Sequence, residues 1–194
     1  MSERRQRILV TAERLFQHYG PAKTTMADIA KACGIAVGSV YLDFDSKETI
    51  LRELAARKAA VVVDAMTSVR AGRVSERLVG MLRARVEALF ALAENGQHAC
   101  DLFRCKNSEP ATEAFGEPVR ALLIQVLEHG VAAGELVITD PHATVSTFEL
   151  AFVGLSPPLV FTRARADAER AAEELARALV YGISRPDPGE RHQL

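Results

Sequence analysis

The most constraining feature is residues 24–47, TTMADIAKACGIAVGSVYLDFDSK. Thr25 is followed three positions later by Asp28, so a threonine hydroxyl and a carboxylate can satisfy each other's backbone N–H groups at a helix start, a variant of the capping box. Met26, Ile29, Ala30 and Cys33 then form a one-sided apolar stripe. Gly34 ends that helix, because the residue just past a helix often needs positive φ and glycine adopts it without a Cβ penalty. A second short helix follows, with Val37, Val40 and Phe44 expected to face inward. Ala30 is small where two helices would cross steeply, and Val40, ten residues on, closes the small core. Helix–glycine–helix alone also suits an ordinary helical hairpin. The Ala, Gly and Val offsets together point to a DNA-binding helix-turn-helix.

Residues 8–20, ILVTAERLFQHYG, and 24–51, TTMADIAKACGIAVGSVYLDFDSKETIL, resemble the N-terminal domain of the TetR family of bacterial transcriptional regulators. The resemblance covers about the first quarter of the chain; the remainder shares only length and helical texture. It implies that the second helix of the motif enters the major groove. Val37, Gly38 and Ser39 would then approach base edges, with Ser39 donating or accepting and Val37 touching a thymine methyl. Tyr41 and Lys47 match phosphate-binding positions, and Thr25 matches a threonine that caps its helix and can contact the backbone. Such phosphate contacts set register, while base contacts set sequence. The chain departs from the pattern at Val37, where a polar or basic residue is more usual, and at Ala27, which replaces a frequent arginine. Asp43 stands where an aromatic residue or histidine is more usual, and phosphate would repel it unless it meets a cytosine amino group or a nearby cation.

Charge fits a local rather than global basic surface. The whole chain has a formal net charge of −1, and residues 1–50 carry seven basic against six acidic side chains. Modest non-specific affinity for DNA is therefore expected. No run approaches about 18 apolar residues, so no membrane span is expected. The charged N-terminus lacks the apolar core of a signal peptide, and three cysteines without framework spacing suit reduced thiols. The expectation is a cytoplasmic protein.

Periodicity predicts helices throughout. The first spans about 4–19, with Ile8, Leu9, Ala12, Leu15, Phe16 and Tyr19 as its core stripe. Gly20-Pro21 stops it. Arg4, Arg5 and Arg7 read either as a flexible arm reaching phosphates or as a solvated helix end. A helix over about 47–69 places Ile50, Leu51, Leu54, Val61, Val62, Ala65 and Met66 inward. Others are expected over 75–93, 99–106, 113–132 (after an interruption at Pro110, closed by Gly130 and Gly134), 141–154 and 165–183. Ser156-Pro157-Pro158 forces a break before the last. Strand signals are weak. Ala168, Ala172, Leu175, Ala176, Leu179 and Ile183 give the final helix a narrow small-residue face. That face suits either intramolecular core or, as the resemblance implies, a four-helix bundle with a second copy.

No catalytic motif is present, and no cofactor or resident metal is expected. His98, Asp101 and Cys105 can share one helix face, which admits a metal or thiol site, although a pocket wall or plain core is the simpler reading. The resemblance implies a ligand pocket among the middle helices. Phe90, Phe103, Phe115, Phe148 and Phe152 are candidate walls, with His98 and Cys105 as polar markers, and such walls suit an apolar or aromatic effector.

The resulting expectation is an all-α protein. A three-helix helix-turn-helix head (1–46) joins a larger helical ligand-binding and dimerisation body (47–184), and residues 185–194 form a frayed tail. Its partners would be a double-stranded DNA operator, a small-molecule effector and a second copy through the last two long helices. Its function would be a ligand-responsive, DNA-binding regulator, most simply a repressor released by its effector. The competing reading is a helical ligand-binding or interaction protein whose head has lost DNA binding.

Overall fold

The structure is a computed structural model that describes residues 2–94 and 109–184. Within them lie eight α-helices: α1 (Glu3–Tyr19), α2 (Met26–Cys33), α3 (Val37–Tyr41), α4 (Lys47–Thr67), α5 (Val74–Ala93), α6 (Glu109–Ala132), α7 (Pro141–Ala151) and α8 (Arg165–Ile183). Two short 3-10 helices, Val153–Leu155 and Leu159–Thr162, separate α7 from α8. The extended pairing described is a single antiparallel bridge, Leu136 with Ser184. No described helix is long and apolar enough to cross a membrane. The predicted 99–106 helix and the tail from 185 lie outside the described residues.

The chain divides into two compact units. The first comprises Met1–Val61 and Leu89–Pro118, the second Val62–Ala88 and Val119–Leu194.

In the first unit, Ile8, Leu9, Ala12 and Phe16 of α1 are buried with Met26, Ile29 and Ala30 of α2, Val40 of α3, and Ile50, Leu51, Leu54, Ala55 and Ala59 of α4. Removing each large aliphatic side chain from water contributes about 1.5–3 kcal/mol. Two expected core positions lie outside. Tyr19 is 54% exposed at the end of α1, and Val61 is 50% exposed while its neighbour Val62 is fully buried. Successive helical residues point about 100° apart, so one valine of an adjacent pair can face in while the other faces water.

The second unit is built on α8 and on the helices of the 62–88 and 119–184 segments. Ala168, Ala172, Ala176 and Val180 have no exposed surface. The alanine stripe therefore packs within its own subunit, the intramolecular alternative of the two left open by sequence. Glu135 Oε2 accepts from the Val74 N–H at 2.7 Å, so a carboxylate caps the positive end of α5.

Two predicted breaks turn out differently. Pro110 does not interrupt a helix; it sits in the first turn of α6, where a missing N–H costs nothing. α6 ends at Ala132 as expected, with Gly134 at φ 73° just beyond it, but Gly130 lies inside the helix rather than closing it. A Cβ there would lie 2.6 Å from Leu136 Cδ1 and 2.9 Å from Val74 Cγ1, so glycine permits close packing instead.

Candidate nucleic-acid interface

The N-terminal motif is assembled by local chemistry. Thr25 Oγ1 accepts from the Asp28 N–H at 3.2 Å, and Asp28 Oδ2 accepts from the Thr25 N–H at 2.9 Å. The threonine hydroxyl also donates to the same carboxylate at 2.6 Å. These bonds from Thr25 hold the Asp28 carboxyl below the usual carboxylate range. At the other end of α2, Gly34 takes φ 65° and ψ 34°. The Ile35 N–H then reaches back to the Ala30 carbonyl at 3.1 Å, which satisfies a helix-end acceptor.

The short α3 has two clean faces. Val40 and Phe44 are buried, at 0% and 1% exposure, and anchor it from below. Val37, Tyr41 and Leu42 are 40%, 50% and 77% exposed, while Gly38 is exposed and Ser39 half-buried. Positions 37, 38, 41 and 42 fall at i, i+1, i+4 and i+5, the spacing of one helical face. Val37 is thus turned outward rather than into the core. Leu42 was not singled out by sequence; an apolar residue just past a short helix gives no periodic signal of its own.

The Asp43 carboxylate beside this face meets a cation. Arg4 Nε donates to Asp43 Oδ2 at 2.6 Å, and this bond raises the Arg4 guanidinium above its ordinary value. Arg5 donates to the Asp43 carbonyl and to the Glu53 carboxylate, and its guanidinium lies 4.0 Å from the centroid of the Phe44 ring, a cation–π geometry. Ser2 caps α1 by accepting from the Arg5 N–H at 3.2 Å. Arg4 and Arg5 are therefore not a flexible arm. They belong to an ordered helix end that ties α1 to the chain just after α3. Arg7 is exposed.

Lys47 has an internal task that sequence did not disclose. Its Nζ donates to the Pro21 carbonyl at 2.6 Å and to the Thr24 carbonyl at 3.1 Å. Thr24 is itself buried and donates to the Gly20 carbonyl at 2.9 Å. The lysine thus closes the α1–α2 connection onto the start of α4. An ammonium has three N–H donors, so one remains for a further acceptor.

The candidate ligand-pocket residues separate into three groups. Phe90 is half-buried and Phe115 buried in the first unit, while Phe148 and Phe152 are buried in the second. His98, Phe103 and Cys105, with Asp101, lie outside the described residues. Two surface clefts of about 510 and 530 Å³ occur in the first unit, one lined by Val10, Glu13, Arg57 and Val61, the other by Leu15, Tyr19 and Lys31. Among the described residues, no cluster of three His, Cys, Asp or Glu side chains is placed to hold a metal ion.

An ordered helix, a left-handed glycine turn and a second helix with one outward face define a helix-turn-helix protein. Residues 8–54 match the family described as bacterial regulatory proteins, tetR family. The regulator YerO of Bacillus subtilis (strain 168) is 49% identical over 51 residues, covering 26% of this chain and 18% of YerO. UidR of Escherichia coli (strain K12) is 26% identical over 146 residues, covering 74% of this chain and 61% of UidR. The chain thus spans less than two thirds of the length of either relative. The fold extends further than the sequence similarity. The crystal structure of RolR in complex with resorcinol superposes with a TM-score of 0.69 at 20% identity, covering 93% of this chain and 87% of RolR. Residues 8–54 therefore form a helix-turn-helix domain of the TetR type, and the rest of the chain shares the fold of TetR-family structures.

Proposed function

We propose that the protein is a ligand-responsive transcriptional repressor that binds a pseudo-palindromic operator as a homodimer in the cytoplasm. The observation that carries this reading is the outward face of α3. Val37, Gly38 and Tyr41 point away from a core secured by Val40 and Phe44, with half-buried Ser39 between them. Val37, Gly38 and Ser39 read base edges, while Tyr41, Thr25 and the free donor of Lys47 contact phosphates. The Arg4–Asp43 pair supports the reading, since it neutralises the acid that would otherwise oppose phosphate.

Two such heads meet successive major grooves about one helical turn apart. Residues 1–46 act as the reading module and 47–184 as the effector-binding and dimerisation body, paired through α7 and α8. Since Ala168, Ala172 and Ala176 are committed inside the subunit, α8 meets its partner through its remaining faces. α4 contributes residues to both compact units. An effector that displaces α4 changes the head separation and releases the operator, and linkage requires the operator to weaken effector binding by the same factor.

The test is selection of binding sites from a random duplex DNA pool at physiological salt, followed by a salt titration. A single enriched pseudo-palindrome whose affinity falls steeply with salt is expected, because neutralised phosphates release counterions. The near-neutral head favours the second reading, a helical ligand-binding protein without DNA affinity. A folded dimer that enriches no sequence would establish that one instead.

A further inference from the structure

Arg85 of α5 has an incomplete electrostatic environment within the second unit. Its Nη1 donates to the Leu155 carbonyl at 3.2 Å and its Nη2 to Ser156 Oγ at 2.8 Å. Both acceptors are neutral. Burial pushes the guanidinium down to about 10, and the acid whose field opposes that shift is Glu149. Glu149 is already paired with Arg120. Among the described residues no carboxylate lies within ion-pair distance of Arg85.

Two neutral acceptors require only N–H donors, not a charge, so the positive charge is surplus to that staple. Buried charges in folded proteins are ordinarily paired, and a lone one is costly. The guanidinium presents five N–H donors in a planar fork suited to bidentate oxyanions, and three have no protein acceptor. Arg85 is half-buried as a residue rather than sealed within the core. Leu82 and Val86 on the same helix, and Phe152 and Leu155 next to its two acceptors in sequence, are all buried apolar residues. Ser156 Oγ in turn donates to the Phe152 carbonyl at 2.9 Å, which links the cation to an aromatic position singled out as a pocket wall.

We infer that Arg85 is the anion-binding residue of the effector site, and that the effector carries a carboxylate on an apolar frame. The word effector rests on the regulator reading above; the binding chemistry does not. Titration calorimetry on the DNA-free protein compares octanoate with octanol and benzoate with benzyl alcohol. In at least one pair the carboxylate should bind at least about tenfold more tightly than the alcohol. In Arg85→Gln, which removes the charge but keeps a polar amide, that ratio should fall to near one while alcohol binding persists. A role confined to stapling would weaken acid and alcohol alike.

Equal affinities within both wild-type pairs, absence of binding by all four probes, or a ratio that survives in Arg85→Gln would each overturn the inference. Equal affinities in the wild-type pairs overturn the inference whether or not the variant folds. Carboxylate selectivity without any change in operator affinity would support the Arg85 site and refute the release mechanism instead.

Discussion

Replacing Lys47 with methionine separates its two tasks. The methionine retains most of the apolar stem but removes both bonds to the Pro21 and Thr24 carbonyls. A hydrogen bond from a charged donor is worth about 1.5–3 kcal/mol. Here a single half-buried ammonium makes both, and it would otherwise be hydrated, so the total loss should be about 2 kcal/mol. For a chain of this size that lowers the melting temperature by roughly 4–8 °C. The phosphate task is measured separately, as the slope of log affinity against log salt for the selected operator, at a temperature where both proteins are fully folded. Each lost phosphate contact reduces the slope by about 0.9, so a dimer losing two should show a change of about 1.8. Reduced stability with an unchanged slope would refute the phosphate assignment. An unchanged melting temperature would refute the argument that this lysine closes the α1–α2 connection.

Arg4→Ala strips Asp43 of its cation and should weaken operator binding roughly threefold, the scale of an exposed ion pair; Asp43→Asn in the same chain should restore it, and equal losses in both proteins would show that the pair does not screen the acid. Thr25→Ala removes the N-cap of α2 and should cost about 1 kcal/mol in urea unfolding. Because the folded Asp28 carboxyl is depressed, its stabilisation is present above the ordinary carboxylate range and is lost as pH falls through the lowered folded value. A pH series of melts should therefore show less acid sensitivity in Thr25→Ala than in wild type, and parallel curves would contradict that linkage. Gly130→Ala gains about 1 kcal/mol of helix propensity but overpacks against Leu136 and Val74 at a cost of about 1–3 kcal/mol. A net destabilisation is expected in thermal melts, and a stabilised variant would mean that Leu136 moves aside freely.

The helix-turn-helix was legible because its signals are local. Thr25, Asp28 and Gly34 act within a few residues of themselves, and the buried side chains of α1 repeat at helical spacing. What escaped depends on residues far apart in sequence. Nothing in the neighbourhood of Lys47 points to the Pro21 carbonyl 26 positions earlier, or in that of Arg4 to Asp43 39 positions later. Asp43 was recognised as needing a cation, but its partner was not. Gly130 was read as a helix terminator because glycine has two uses, conformational freedom and lack of bulk, and only the contact with Leu136 shows which applies. The alanine stripe of α8 posed a similar choice, since small residues mark close helix approach without stating whose helix approaches. Val37 illustrates a limit of apolar patterning in a five-residue helix, where one turn is too short for periodicity to discriminate inside from outside.

The strict division of α3 between two faces bears on how such a protein can change over generations. The residues that hold the helix, Val40 and Phe44, are distinct from those that look outward, Val37, Gly38, Tyr41 and Leu42. Substitutions on the outward set leave the buried anchors Val40 and Phe44 untouched, and exposed replacements usually alter stability by less than about 0.5 kcal/mol. Target preference can therefore drift, duplicate and diverge while the scaffold stays intact, and a laboratory library confined to those four positions would explore new recognition with few members lost to misfolding.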